Sequence, residues 1–138
     1  MALVLDTGVI YAALDTADDD HERCASLLAG SDEQLVIPQP VCVEVDYWIR
    51  KNATVDAWLA FCEDVAAGGY TLWSVDRDLR LRAAQIQVDN DDQPIGFVDA
   101  SVVATCEVLG EDKVATLDRR HFGTIRTSKG EPLHVLPE

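Results

Sequence analysis

Asp6, Glu44, Asp99 and Asp118 are the residues of this chain whose type and placement suit them to chemistry. Asp6 follows a short apolar run at 2–5, and Asp118 follows another at 114–117. Glu44 stands among Val41, Val45 and Trp48, while Asp99 shares a helical face with Val102, Val103 and Cys106. A carboxylate turned toward apolar neighbours is costly, because an ionised group loses its hydration unless a partner offsets the loss. The neighbourhoods of Asp6, Glu44 and Asp99 are poor in Lys and Arg, which leaves a hard divalent cation as the economical partner. Ligands that are all oxygen favour Mg2+ or Mn2+ over zinc. Without an ion, clustered acids repel one another, which raises some of their pKa values and lowers stability.

Each acid has a plainer reading when taken alone. Asp6 before Thr7-Gly8, and Asp118 before Arg119, would serve equally well as helix caps or Asx turns. Asp99 in a first helical turn complements the helix dipole, and Glu44 at a helix rim could reach water. What separates these readings is whether the four acids meet, and that depends on the elements that carry them.

Residues 2–5, 35–37, 70–75 and 114–117 read as strands, with 133–136 as a further strand at the sheet edge. Between them lie helical patterns at 9–14, at 21–28 ended by Gly30, and after Pro38 and Pro40, where Val41, Val45 and Trp48 share a face. Trp58, Phe61, Cys62 and Val65 repeat that pattern. Asp76 caps a helix carrying Leu79, Leu81, Ala83 and Ile86, and residues 98–109 form one stopped by Gly110. Such alternation predicts an α/β sandwich, with a parallel or mostly parallel sheet covered on both faces through right-handed crossovers. A helix on a parallel sheet runs antiparallel to the strands, so its N-terminal end sits at their C-terminal edge. All four acids belong at that edge, where ligands bind in open α/β sheets.

Composition narrows the partners. At 138 residues the chain is expected to be a single domain, 1–138, and 48% hydrophobic with 26% charged residues places it in the globular class. No apolar run approaches the roughly 20 residues of a membrane helix, and no basic-then-apolar leader opens the sequence, so a cytosolic location is expected. Cys24, Cys42, Cys62 and Cys106 are scattered through helical stretches without ligand-like spacing, and are expected to be reduced. Eleven Lys and Arg against 25 Asp and Glu give a net charge of −14, the wrong sign for holding nucleic acid by broad attraction. Any RNA contact must be local and metal-assisted. The same acidity suits a basic protein partner, or simply solubility.

These residues carry a family resemblance. Leu3-Val4-Leu5-Asp6-Thr7-Gly8-Val9-Ile10-Tyr11 resembles the opening motif of PIN domains, and residues 38–48, with Glu44 central, resemble their second. Phe97-Val98-Asp99-Ala100-Ser101 before an apolar helix is similar to the third. Val114-Ala115-Thr116-Leu117-Asp118-Arg119-Arg120-His121-Phe122 resembles the fourth, in the TLDRRHF form of VapC toxins from VapBC toxin-antitoxin pairs. The resemblance spans essentially the whole chain, in order, with no acid missing.

The resemblance implies a PIN-like α/β/α sandwich whose central parallel sheet has four to five strands, the first and fourth adjacent. It makes Asp6, Glu44, Asp99 and Asp118 an acidic site for one or two Mg2+ or Mn2+ ions, with Thr116 as a supporting hydroxyl. It also implies an endoribonuclease that uses metal-activated water and leaves a 5′-phosphate and a 3′-hydroxyl. Thr7 would orient Asp6 or touch phosphate, or be a plain turn residue. Arg119 and Arg120 are the nearest cations for RNA phosphate, or else solvated or partner-facing. His21 and His121 read as structural. The implied partners are a VapB-like antitoxin, whose basic side chain enters the pocket, and a second toxin copy in a homodimer. The substrate class is structured RNA, either transfer RNA or a ribosomal RNA loop; the TLDRRHF form favours the ribosomal loop.

Rival readings fit less well. A response-regulator receiver wants paired acids after the first strand, where Asp6 stands alone, and a haloacid-dehalogenase phosphatase needs DxD, which Asp6-Thr7-Gly8 breaks. The remaining alternative is a catalytically silent PIN-like module that only receives a basic partner segment; four intact acids argue against it. Asp46 with Arg50, and Asp78 with Arg82, have the spacing of helix-surface ion pairs.

Overall fold

The computed structural model describes residues 1–138. Five strands form one sheet: β1 (Ala2–Leu5), β2 (Gln34–Pro38), β3 (Thr71–Trp73), β4 (Lys113–Ala115) and β5 (His134–Leu136). All pairings are parallel and the order is β3-β2-β1-β4-β5. Successive side chains of a strand point to opposite faces, and all four residues of β1 are buried, so helices cover both faces of the sheet.

Seven helices complete the α/β/α sandwich: α1 (Thr7–Leu14), α2 (His21–Ala29), α3 (Gln39–Asn52), α4 (Val55–Ala66), α5 (Arg77–Asp89), α6 (Phe97–Leu109) and the one-turn α7 (Arg119–Phe122). Asp76 caps α5 as the sequence predicts, its Oδ1 accepting from the Leu79 N–H at 2.8 Å. Gly110 ends α6 in the left-handed region at φ +70°, where a Cβ would be strained. No helix is long and apolar enough to cross a membrane.

Several local expectations change. α1 begins at Thr7 rather than residue 9, because Asp6 already serves as its N-cap position. On α3 the buried stripe is Val41, Val45 and Ile49, at i, i+4 and i+8; Trp48 is 41% exposed. On α5 it is Leu79, Ala83 and Ile86, and Leu81, off that period, is exposed. Asp46 does pair with Arg50, at 2.6 Å, whereas Arg82 pairs not with Asp78 but with Glu107 of the neighbouring α6, in two bonds of 2.7 and 2.9 Å. All four cysteines are free thiols, with Cys24 and Cys106 buried.

The order of strands positions the site. From β1 the chain builds outward through β2 to β3, then returns to place β4 on the other side of β1 and β5 beyond it. The switch point therefore lies between β1 and β4, and its edge at the carboxyl ends of the strands is where ligands bind in sheets of this kind.

Candidate active site

Asp6 follows the last residue of β1 and Thr116 the last residue of β4, side by side at the switch point, where Leu5 and Ala115 are paired. The Asp6 N–H donates to the Ala115 carbonyl at 2.9 Å, extending the ladder one residue beyond the strand. Asp6 is 7% exposed and Thr116 fully buried. The Thr116 hydroxyl donates to Asp6 Oδ2 at 2.8 Å, while its oxygen accepts from the Asp118 backbone N–H at 3.0 Å. One side chain thus holds two acids from two strand ends.

Glu44 enters from the second turn of α3. The Thr7 hydroxyl donates to its Oε1 at 2.6 Å. Thr7 therefore orients Glu44, not Asp6, with its hydroxyl, while its backbone N–H favours ionised Asp6. Asp99, in the first turn of α6, is half-buried; no side-chain or backbone donor meets its carboxylate. Asp118 caps α7.

Electrostatics show that the four acids share one environment. Burial raises the Asp6 pKa above the ordinary value, and the negative charges of Glu44 and Asp118 add to the rise; the Thr116 and Thr7 hydrogen bonds oppose it. Burial likewise pushes Asp99 up to about 6, reinforced by Asp6, Asp118 and Glu44. None of Asp6, Glu44 and Asp99 forms an ion pair with Lys or Arg. Three elements that are separate in sequence thus bring carboxylates without a Lys or Arg partner close enough to raise one another's pKa.

A divalent cation fits this donor set. Asp99, Asp118 and His121 offer ligand atoms that all lie within 4.8 Å of one another, and Asp6 and Glu44 add oxygens from the adjoining side. His121, set aside from sequence as structural, belongs to this cluster, with Nδ1 2.8 Å from Asp118 Oδ2. Its signal was the spacing Asp118-x-x-His121 just after a strand, since residue i+3 of a capped turn folds back onto the cap. His21 is structural as expected, its Nδ1 2.8 Å from the Ala12 carbonyl.

Arg119 and Arg120 occupy the outer side of α7 and are exposed. The Arg119 guanidinium donates to the Pro137 carbonyl, and Arg120 pairs with no acid.

Residues 3–126 match the PIN domain family, which covers the four acids and the sheet from β1 to β4. The chain belongs to the PIN-domain family. A curated relative, Ribonuclease VapC26 of Mycobacterium tuberculosis, is 32% identical over 135 residues, covering 98% of this chain and all of the relative. Among solved structures, the Mycobacterium tuberculosis VapC20 toxin, described as cleaving the sarcin-ricin loop, superposes with a TM-score of 0.75 at 20% identity, over 81% of this chain and 86% of that one. VapBC2 of Rickettsia felis, bound to a promoter DNA fragment, gives 0.72 at 14% identity over 98% of both chains. FitAcB of Neisseria gonorrhoeae gives 0.67 at 20% identity, over 98% of this chain and 96% of that one. The relationship to VapC26 runs the full length of both chains, and the solved structures share this PIN domain's fold.

Proposed function

We propose that this PIN domain is the toxin of a toxin-antitoxin pair and cuts structured RNA with Mg2+ or Mn2+ held by Asp6, Glu44, Asp99 and Asp118. The observation that carries this reading is the convergence of four acids, without a Lys or Arg among them, on the β1–β4 switch point. These acids would hold a divalent cation, and such an ion would supply charge neutralisation at the scissile phosphate and an activated water. Asp6 and Glu44 bring pre-oriented oxygens, because Thr116 and Thr7 fix their carboxylates. Asp99 supplies a carboxylate with no competing donor. Arg120 and Arg119 offer the positive charge nearest the RNA backbone on a chain that otherwise repels it.

The VapC20 toxin is described as cleaving the sarcin-ricin loop, and this, together with the TLDRRHF segment 116–122 of this chain, supports a ribosomal RNA loop as its substrate, ahead of transfer RNA. A fold shared with a toxin-antitoxin complex from Klebsiella pneumoniae supports a VapB-like antitoxin as partner; the homodimer is proposed from the family resemblance alone. An open groove between α1, α2 and α4, lined by Ala13, Leu14, Leu28, Leu35 and Tyr70, offers such a partner an apolar seat.

The test is cleavage of total cellular RNA by the purified chain with Mg2+ or Mn2+, beside Asp6→Ala and an EDTA control, with product ends mapped. Discrete cuts leaving a 5′-phosphate and a 3′-hydroxyl, lost in both controls, are expected. Absence of cleavage by the folded, metal-loaded chain would leave a silent module that only receives a basic partner segment.

A further inference from the structure

Three of the four acids have a dedicated side-chain donor. Asp6 is held by Thr116 and Glu44 by Thr7, each through a hydroxyl. Asp118 is held by His121 twice over. The His121 backbone N–H donates to Asp118 Oδ1 at 3.1 Å, and the ring Nδ1 lies 2.8 Å from Oδ2. An ionised carboxylate only accepts, so the ring is protonated on Nδ1 and donates.

The two bonds do different things. The backbone bond caps α7, and any residue but proline at position 121 would make it. The ring bond engages the second oxygen, so the carboxylate can no longer rotate about its own axis. Each oxygen keeps a further lone pair, and the clamped group stays within 4.8 Å of a ligand atom of Asp99. Asp99 is the one acid with no donor of its own. An ion shared by these two residues would meet one free and one fixed carboxylate, and the fixed one sets the geometry.

We propose that His121 is a positioning residue for the metal site, acting through its Nδ1–H on Asp118 and neither as a metal ligand nor as an acid or base. This rests on the reading of Asp118 as a metal ligand. It makes the imidazole a support for coordination that a side-chain amide can replace if, and only if, the amide nitrogen stands where Nδ1 stands. The nitrogen of Asn overlays the histidine Nδ1; the nitrogen of Gln overlays Nε2.

The experiment measures Mn2+ affinity of the full chain by the loss of the free-ion EPR signal, for wild type, His121→Ala, His121→Asn and His121→Gln. Thermal melting in EDTA establishes that each is folded, and all retain the backbone cap. His121→Ala and His121→Gln should bind Mn2+ roughly 10–100-fold more weakly, with His121→Asn recovering most of the loss. RNA cleavage at saturating Mn2+ should follow the same order. Equal affinity in all four proteins overturns the proposal while leaving the metal reading intact. Nitrogen modulation from a 15N-histidine-labelled wild type in pulsed EPR, with Asn no better than Ala, overturns it in favour of direct ligation. A folded wild type that binds no Mn2+ overturns the metal reading and this proposal together.

Discussion

The Thr116 hydroxyl donates to Asp6 across 110 residues of sequence, 2.8 Å from hydroxyl to carboxylate in a fully buried setting. It also accepts from the Asp118 N–H, so its removal leaves two groups without partners. Thr116→Val keeps the shape and loses both bonds. We expect it to destabilise the chain by about 1–3 kcal/mol and to depress cleavage, whereas Thr116→Ser should retain most of both. Urea unfolding and an RNA cleavage assay on the pair check this; a Val variant as active as wild type would falsify the bridging role.

Thr7 and Glu44 form the matching pair between α1 and α3, at 2.6 Å. Thr7→Val should cost roughly 10–100-fold in metal affinity or cleavage rate, because Glu44 keeps its charge but loses its orientation. Thr7→Ser should behave as wild type. Titration of Mn2+ into the three proteins reads the effect directly, and the idea fails if Val and Ser variants bind alike.

Asp99 predicts a dependence on pH that reverses with metal. Its folded pKa, about 6, lies above its ordinary 3.8, so between those values the folded state holds the proton more firmly than the unfolded chain does. This group's contribution is therefore fully present below pH 4, fades as pH rises toward 6, and is gone above it. A divalent cation competes with that proton. Melting curves should show Mn2+ raising the melting temperature of EDTA-treated protein more at pH 7 than at pH 5. At a hundred times its dissociation constant, the ion adds about 2.7 kcal/mol. Asp99→Asn should raise the metal-free melting temperature at pH 7 and abolish the Mn2+ response. Identical Mn2+ shifts at the two pH values would count against the assignment.

The Arg82–Glu107 pair should matter to stability and not to cleavage. Glu107 is largely buried, its side chain 10% exposed against 33% for Arg82, and one of its oxygens also accepts from the Ser128 N–H at 2.6 Å. It ties α5, α6 and the loop before β5 together. Glu107→Ala should lower unfolding free energy by roughly 1–3 kcal/mol, since it leaves a guanidinium and a backbone donor short of a partner. Cleavage per folded molecule, measured at low temperature, should be unchanged.

Much of this was legible beforehand, for identifiable reasons. The strands at Ala2–Leu5 and Gln34–Pro38 announce themselves because strands of an all-parallel sheet are buried on both faces and read as unbroken apolar runs. The meeting of Asp6, Glu44, Asp99 and Asp118 at one edge follows from topology alone, since strands end and helices begin there. Trp48 and Leu81 misled because an apolar type was weighed above its phase; the helical period passes them by in favour of Ile49 and Ala83. Arg82 turned from Asp78 to Glu107 because its partner lies on another helix, 25 residues away, where spacing within one helix carries no information. The orientation of Thr7 toward Glu44 was hidden for the same reason: it depends on how α1 meets α3. His121 was visible as a residue and invisible as a contact, because the turn of α7 that folds it back is only four residues long.

The sheet order also sets a sequence of events in time. β1 is made first, but its partner on one side, β4, is not made until residues 113–115. A chain still being translated therefore carries Asp6 and Glu44 for most of its synthesis without Thr116 to brace the one or Asp118 to complete the set. The full set of four acids exists only once residues 113–118 have been made.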